Sequence, residues 1–122
     1  MTKAAALHKF WESFGIPAYE ENTVPDDAVE PYITYESAAD AYGADVPLSA
    51  SLWYRSTSWV DVNAKTEEIG RAIGYGGKIV PCAGGGIWIK RGSPFAQNMG
   101  DDRDDRIRRK VLNVEASFLT SV

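Results

Sequence analysis

The sequence predicts an α+β fold: a small antiparallel or mixed β-sheet with an N-terminal helix and a central helix packed on one face, plus a projecting loop or arm. Apolar residues recur at helical spacing near the N-terminus and again in residues 59–73. Polar and apolar residues alternate in residues 48–56 and 111–119, as in strands that bury one face. A chain of 122 residues is long enough for one core, so we expect residues 1–122 to form a single domain.

The first predicted element is a helix that begins near Thr2 and ends at about residue 14. One face of this helix carries an apolar stripe at positions i, i+3, i+4 and i+7, formed by Leu7, Phe10, Trp11 and Phe14. Gly15 and Pro17 follow the stripe, and both residue types end helices. The stripe therefore predicts a helix that packs on the core, or one that docks on another subunit.

Residues 18–31 hold five acids, no base and two prolines, which predicts an extended, solvated loop. A short strand should follow at residues 32–36, with Ile33 and Tyr35 on one face. Residues 37–47 are mostly small and predict a connection with a turn at Gly43.

Residues 48–56 are the clearest strand, because one set of alternating positions is apolar: Leu48, Ala50, Leu52 and Tyr54. Trp53 lies on the opposite, more polar face. Two interpretations stay open for it, since an exposed tryptophan can cover the base of a sheet or contact a second subunit.

A second helix is predicted over residues 59–73. Ser58 and Asp61 have the spacing of a capping box at its start. Its buried side should carry Val62, Ile69, Ala72 and Ile73, and its solvent side Asp61, Lys65, Glu68 and Arg71. The glycine cluster at 74–77 follows a helix and lacks a GK[ST] motif, which argues against a phosphate-binding loop.

Residues 78–82 and 87–91 predict a hairpin whose tip is formed by residues 83–86. Residues 92–100 should then leave the sheet as the projecting arm. Phe95 and Met99 are apolar within this polar stretch, so they either tuck under the arm or insert into a neighbouring subunit.

Residues 101–110 read DDRDDRIRRK, with four acids and five bases. In a monomer this cluster would be a solvated face of weak ion pairs; in an oligomer it would set the register between subunits by complementary charge. A long strand follows, with its polar front half projecting beyond the core and its back half buried through Leu112, Val114, Ala116 and Phe118.

Composition excludes several classes of function. A net charge of −4 argues against binding of a phosphate backbone as the main activity. One cysteine and one histidine, Cys82 and His8, leave no disulfide and no ordinary zinc site. No segment has the ~20 apolar residues of a membrane span, and no signal peptide is evident. We expect a soluble protein of a reducing cytosol, with no cofactor and no catalytic residues.

Three blocks of the sequence, residues 14–36, 48–77 and 86–120, resemble the small tail terminator proteins of tailed bacteriophages and prophages, also described as minor capsid or tail completion proteins. The resemblance implies a structural virion protein that forms a ring, usually a hexamer, on the last ring of the tail tube. Such a ring ends tube polymerisation and offers a surface to the head-completion or connector protein. DNA would pass through its lumen without specific binding, a role that suits an acidic chain.

The resemblance implies no catalytic, cofactor or metal residues. Ser58, Trp59, Gly92, Pro94 and the Asp and Arg cluster look similar to the family, and we assign oligomer or tube contacts as a hypothesis to Trp53, Phe95, Gln97, Met99, Asp101, Asp102, Arg103, Asp104, Arg106, Arg108 and Arg109. The alternatives are a head-tail joining or head-closure protein, a small ligand-binding domain or enzyme that uses Tyr75 and Trp88, and a nucleic-acid patch built on the arginines.

Overall fold

A computed structural model describes residues 1–37, 45–100 and 104–121 of the chain. The turn predicted at Gly43 and the interface residues Asp101, Asp102 and Arg103 lie outside the described residues. The helices and strands within them are, in order, α1 (Lys3–Glu12), β1 (Ala18–Glu20), β2 (Tyr32–Tyr35), β3 (Asp45–Arg55), α2 (Val60–Ile73), β4 (Lys78–Cys82), β5 (Gly85–Met99) and β6 (Ile107–Thr120).

The strands form one mixed sheet in the order β1-β2-β3-β6-β5-β4. The pair β1–β2 is parallel and the other four pairs are antiparallel. The long strand β6 lies between β3 and β5 and pairs with β3 from Arg55↔Ile107 to Asp45↔Ser117. The predicted α+β class with a mixed sheet is therefore confirmed.

Both helices pack on the same face of the sheet, as predicted, and this helix face holds the core. Helix α1 contacts β1 and β4, which are the two edge strands, so the sheet curls around it as a half-barrel. The alternating apolar positions of the strands point into this core: Ile33, Leu52, Ile87, Ile89, Leu112, Ala116 and Phe118. The opposite face of the sheet, which we call the open face, carries the other set of side chains.

Helix α1 follows the sequence prediction closely. The hydroxyl oxygen of Thr2 accepts a hydrogen bond from the backbone N–H of Ala5, which satisfies one of the free donors at the start of the helix. The whole apolar stripe is buried. The helix ends at Glu12, two residues before Phe14, because Ser13 is already its C-terminal cap.

Helix α2 begins one residue later than predicted, and the hydroxyl of Ser58 accepts from the backbone N–H of Val60. Its buried stripe consists of Val62, Thr66, Ile69, Gly70 and Ile73. The prediction that Ala72 is buried is wrong, because Gly70 faces the sheet in its place and Ala72 is exposed. Lys65 is half-buried, and its Nζ donates to the carbonyl oxygen of Phe14 at 2.8 Å, which links the two helices.

Two strands occupy segments that were expected to be loops. Residues 18–20 form β1, with Ala18 buried beside Ile33 in the parallel ladder. Strand β3 begins at Asp45, three residues before the predicted start. Both differences arise because pairing with a neighbouring strand decides the conformation, and neither segment has enough length or alternation to indicate it locally.

The prediction of a projecting arm is wrong. Residues 92–99 continue β5: after an irregularity at residues 92–95, the ladder with β6 resumes and runs from Ala96↔Leu112 to Met99↔Arg109. Gly92 fits this irregularity because a Cβ there would lie 2.8 Å from the carbonyl oxygen of Asn113. The hairpin tip is also shorter than predicted, since β5 begins at Gly85.

The front half of β6 is paired within the sheet, while the core cluster takes its side chains from the back half of the strand. Residues 107–110 pair with β3 on one side, and residues 109 and 110 pair with β5 on the other. The back half behaves as expected, because all four of its core positions are buried.

Candidate functional site

A row of four side chains crosses the open face near one end of the sheet. Tyr32 on β2 is opposite Trp53 on β3, Trp53 is opposite Arg109 on β6, and Arg109 is opposite Met99 on β5. We call this set the aromatic–cation row. It brings together three of the residues assigned to an interface from the sequence, namely Trp53, Arg109 and Met99.

The indole of Trp53 makes all of the contacts described below with residues of its own subunit. Tyr32 stacks on it at 6.3 Å between ring centroids, and the guanidinium carbon of Arg109 lies 4.7 Å from its centroid on the side of β6. The indole N–H donates to the hydroxyl of Thr34 at 2.9 Å, and Nε of Arg109 donates to the hydroxyl of Ser51 at 3.1 Å. The indole of Trp53 therefore lies between Tyr32 and Arg109 of its own subunit.

A polar groove of about 550 Å³ lies beside the aromatic–cation row. Its walls hold hydroxyl groups and two carboxylates, Glu21 and Glu36. Glu36 already accepts a hydrogen bond from the backbone N–H of Ser49 at 2.6 Å. Burial, together with the nearby charge of Glu30 and the phenol of Tyr19, raises the pKa of Tyr32 above its usual value. Tyr32 is thus a neutral phenol at physiological pH and not a nucleophile.

The charge cluster forms a chain of ion pairs on the surface. Glu30 pairs with Arg55 at 3.2 Å, Arg55 with Asp104 at 3.7 Å, and Asp104 with Nε of Arg106 at 3.3 Å. The backbone N–H of Arg106 also donates to Asp104, and this hydrogen bond is the main reason why the pKa of the Asp104 carboxyl is lowered. These contacts hold the turn before β6 close to β3.

Arg108 lies on the helix face, apart from the other interface candidates. Its two Nη atoms donate to the carbonyl oxygens of Asp105 and Thr57, at 2.6 Å and 2.9 Å. Its guanidinium carbon lies 5.5 Å from the centroid of the Trp59 ring. Arg108 therefore connects the turns before α2 and β6 inside the subunit.

The three interface candidates on β5 have different surroundings. Phe95 is half-buried against the core, and a Cβ at Gly70 of α2 would lie 3.3 Å from its ring. The sequence left two outcomes open for Phe95, and its side chain packs under its own chain and does not point outward toward a neighbouring subunit. Gln97 and Met99 are exposed on the open face, and Met99 keeps 42% of its accessible surface.

An exposed apolar patch at the other end of the open face was missed from the sequence. It comprises Ile79, Trp88 and Leu119, of which Ile79 is the most exposed at 61%. Ile79 is opposite Trp88 in the β4–β5 ladder, and Leu119 is opposite Gly86, against which Ile79 packs. The alternation of Ile79 with Val80 could have placed Ile79 on this face, but only the strand order brings the three residues together.

A second surface, separate from the aromatic–cation row, lies between α1 and β4, where a groove of about 460 Å³ opens. We call it the α1–β4 groove. Its walls include Ala6, Phe10, Val80 and Cys82, and the side chains of Lys9 and Lys78 also line it. This groove was not predicted, because it depends on the curl that brings β4 against α1.

His8 is held by hydrogen bonds within its own subunit. Nε2 of His8 donates a hydrogen bond to the carboxylate of Glu12, and Nδ1 shares a hydrogen bond with the hydroxyl of Tyr35, both at 3.0 Å. Within the described ranges, no group of three or more His, Cys, Asp and Glu residues could hold a metal ion. None of the helices in those ranges is long and apolar enough to cross a membrane.

The geometry offers two candidate contact surfaces: the open face, with its aromatic–cation row and apolar patch, and the α1–β4 groove. Comparison of the chain with models of known protein families and with curated proteins finds no match.

Proposed function

We propose that this chain is the ring-forming tail terminator subunit of a tailed bacteriophage or prophage. In this role it forms a ring at the head-proximal end of the tail tube, ends tube polymerisation and provides the surface for head attachment. Its partners are further copies of itself, the tail-tube protein and the head-completion or connector protein, and DNA passes through the lumen. The three sequence blocks quoted above and the small α+β subunit support the proposal.

The observation that carries it is the exposed apolar patch on the open face. A bare face is common in antiparallel sheets and by itself says little. Solvated faces, however, normally carry polar side chains, whereas here Trp88, Ile79 and Leu119 are adjacent and exposed. Contiguous apolar residues on a soluble protein mark contacts with other macromolecules.

A closed ring also needs two different patches on each subunit, because a head-to-tail contact joins unlike surfaces. The open face and the α1–β4 groove are two such surfaces. The ion pairs around Asp104 form a mixed-charge rim near one end of the sheet, where complementary charge would orient a neighbour.

The contacts of Trp53 and His8 make the ligand-binding or enzymatic alternative weaker. The indole of Trp53 is stacked and hydrogen-bonded within the subunit. His8 satisfies the buried hydroxyl of Tyr35, which is a structural role. His8 is not among the described residues that line the polar groove, so it is not placed beside the hydroxyl groups and carboxylates there.

The proposal is tested by analytical ultracentrifugation and electron microscopy of the purified protein, alone and with tail tubes. We expect a ring, or an oligomer whose size depends on concentration, and density capping one end of each tube. A monomer at all concentrations that leaves the tubes uncapped would refute the proposal. If labelled subunits are found on heads and not on purified tails, the head-closure alternative is correct.

A further inference from the structure

The α1–β4 groove has the chemistry of a site for an acidic segment that carries an apolar side chain. Its walls are apolar through Phe10, Val80 and Cys82. The charged residues that line it are both lysines, Lys9 and Lys78. Within the described part of the chain, neither ammonium group takes part in an ion pair.

Residues 26–30 of the same chain match this description. The backbone N–H of Ala28 donates to the carbonyl oxygen of Pro25 at 3.1 Å, so Asp26 and Asp27 occupy the tip of a turn, where both are exposed. Val29 follows and keeps 75% of its accessible surface, more than any other large aliphatic residue in the described ranges.

Two further features support a docking role for this segment. Neither aspartate takes part in an ion pair among the described residues. The last residue of the segment, Glu30, forms an ion pair with Arg55 at 3.2 Å, which tethers this end of the segment to β3. Docking an ordered segment costs less conformational entropy than docking a disordered one.

We propose that residues 26–30 of one copy dock in the α1–β4 groove of a second copy, with Val29 in the apolar floor and Asp26 and Asp27 beside Lys9 and Lys78. The contact is head-to-tail because the segment and the groove are different surfaces, and repetition of such a contact around an axis closes a ring. The inference rests on the proposed ring and names its contact. It also removes Asp26 and Asp27 from the acids available to line a lumen for DNA.

The single cysteine of the chain makes a direct test, because Cys82 lines the groove. In the Val29→Cys variant, mild oxidation should join neighbouring copies through residues 29 and 82 and give covalent oligomers on a non-reducing gel. The Val60→Cys variant is a matched control, since Val60 is 71% exposed at the start of α2, away from the groove and the segment. It should give no comparable oligomers.

The Cys82→Ser change in the Val29→Cys background should abolish the oligomers. Products that persist would be links between two copies of residue 29 and would overturn the assignment, as would an equal yield from Val60→Cys. Wild-type rings that cap tubes, combined with no 29–82 link, would refute this contact but leave the tail-terminator function standing. Links without tube capping would support the contact and refute that function.

Charge reversal gives an independent measurement. The Lys9→Glu/Lys78→Glu variant and the Asp26→Lys/Asp27→Lys variant should each raise the concentration for half-assembly by about tenfold, because attraction becomes repulsion. The chain that carries all four changes should recover most of the loss. Failure of the fourfold variant to recover, with a circular dichroism melt like that of the wild type, would overturn the proposal.

Discussion

The guanidinium carbon of Arg109 lies 4.7 Å from the centroid of the Trp53 ring, while Nε of Arg109 donates to the buried hydroxyl of Ser51. The Arg109→Ala variant should lose both contacts and destabilise the subunit by about 1 to 2 kcal/mol in urea unfolding. Arg106→Ala is the control, because among the described residues the side chain of Arg106 pairs with the surface carboxylate of Asp104, and its loss should change the free energy of unfolding less. Equal effects of the two substitutions would contradict this account.

Phe95 and Met99 lie on the same strand but should respond differently to truncation. Phe95→Ala removes a ring that packs on α2 at Gly70, so we expect a loss of about 1 to 2 kcal/mol in the free energy of unfolding. Met99→Ala removes an exposed side chain and should change that quantity by less than about 0.5 kcal/mol. A thermal or urea melt of each variant compares them, and a Phe95→Ala melt that matches the wild type would show that the ring is dispensable for folding.

Two neighbouring glycines give another matched pair. Gly77 has φ of 85°, and a Cβ there would lie 2.6 Å from Nε1 of Trp88 and 2.7 Å from the carbonyl oxygen of Ile89. Gly77→Ala should therefore destabilise the subunit by about 1 to 2 kcal/mol or more, through strain and displacement of Trp88. A Cβ at Gly76 meets nothing within 4 Å, so Gly76→Ala should be close to neutral. Differential scanning calorimetry would compare the two, and similar midpoints would contradict the prediction.

The lowered pKa of Asp104 predicts a dependence of stability on pH. Because the folded pKa is below the ordinary value of 3.8, the ionised carboxylate stabilises the folded state at pH values above 3.8, and this contribution is lost as pH falls through the folded pKa. Urea unfolding should show wild type more stable than Asp104→Asn at neutral pH, with the difference shrinking well below pH 3.8. A difference that stays constant or grows in acid would be inconsistent with an ionised Asp104 bound to Arg106.

The elements that could be predicted from the sequence are those with local periodicity. The apolar stripe of α1 and the alternation of Leu48, Ala50 and Leu52 on β3 each need only one segment, and all these side chains are buried as expected. The same holds for Ile33 and Tyr35 on β2. The α+β class follows from these patterns.

The elements that were missed depend on a partner far away in the sequence. Residues 92–99 contain glycine and proline, yet the segment remains in the sheet because β6 pairs with residues 96–99. Strand β1 is three residues long and exists through its ladder with β2. The aromatic–cation row combines four strands, so neither Tyr32 nor Met99 could be placed beside its neighbours before the strand order was known.

The position of β6 affects when the sheet can be completed during synthesis of the chain. It is the last of the six strands to be synthesised, yet it lies at the centre of the sheet, where Asp45 on β3 is paired with Ser117, 72 positions later. In a nascent chain that has been synthesised only as far as β5, one long edge of β3 is therefore unpaired. The two parts of the sheet, β1-β2-β3 and β5-β4, are not yet joined in such a chain. Surfaces that span both parts of the sheet, such as the aromatic–cation row, therefore form only after β6 has been synthesised.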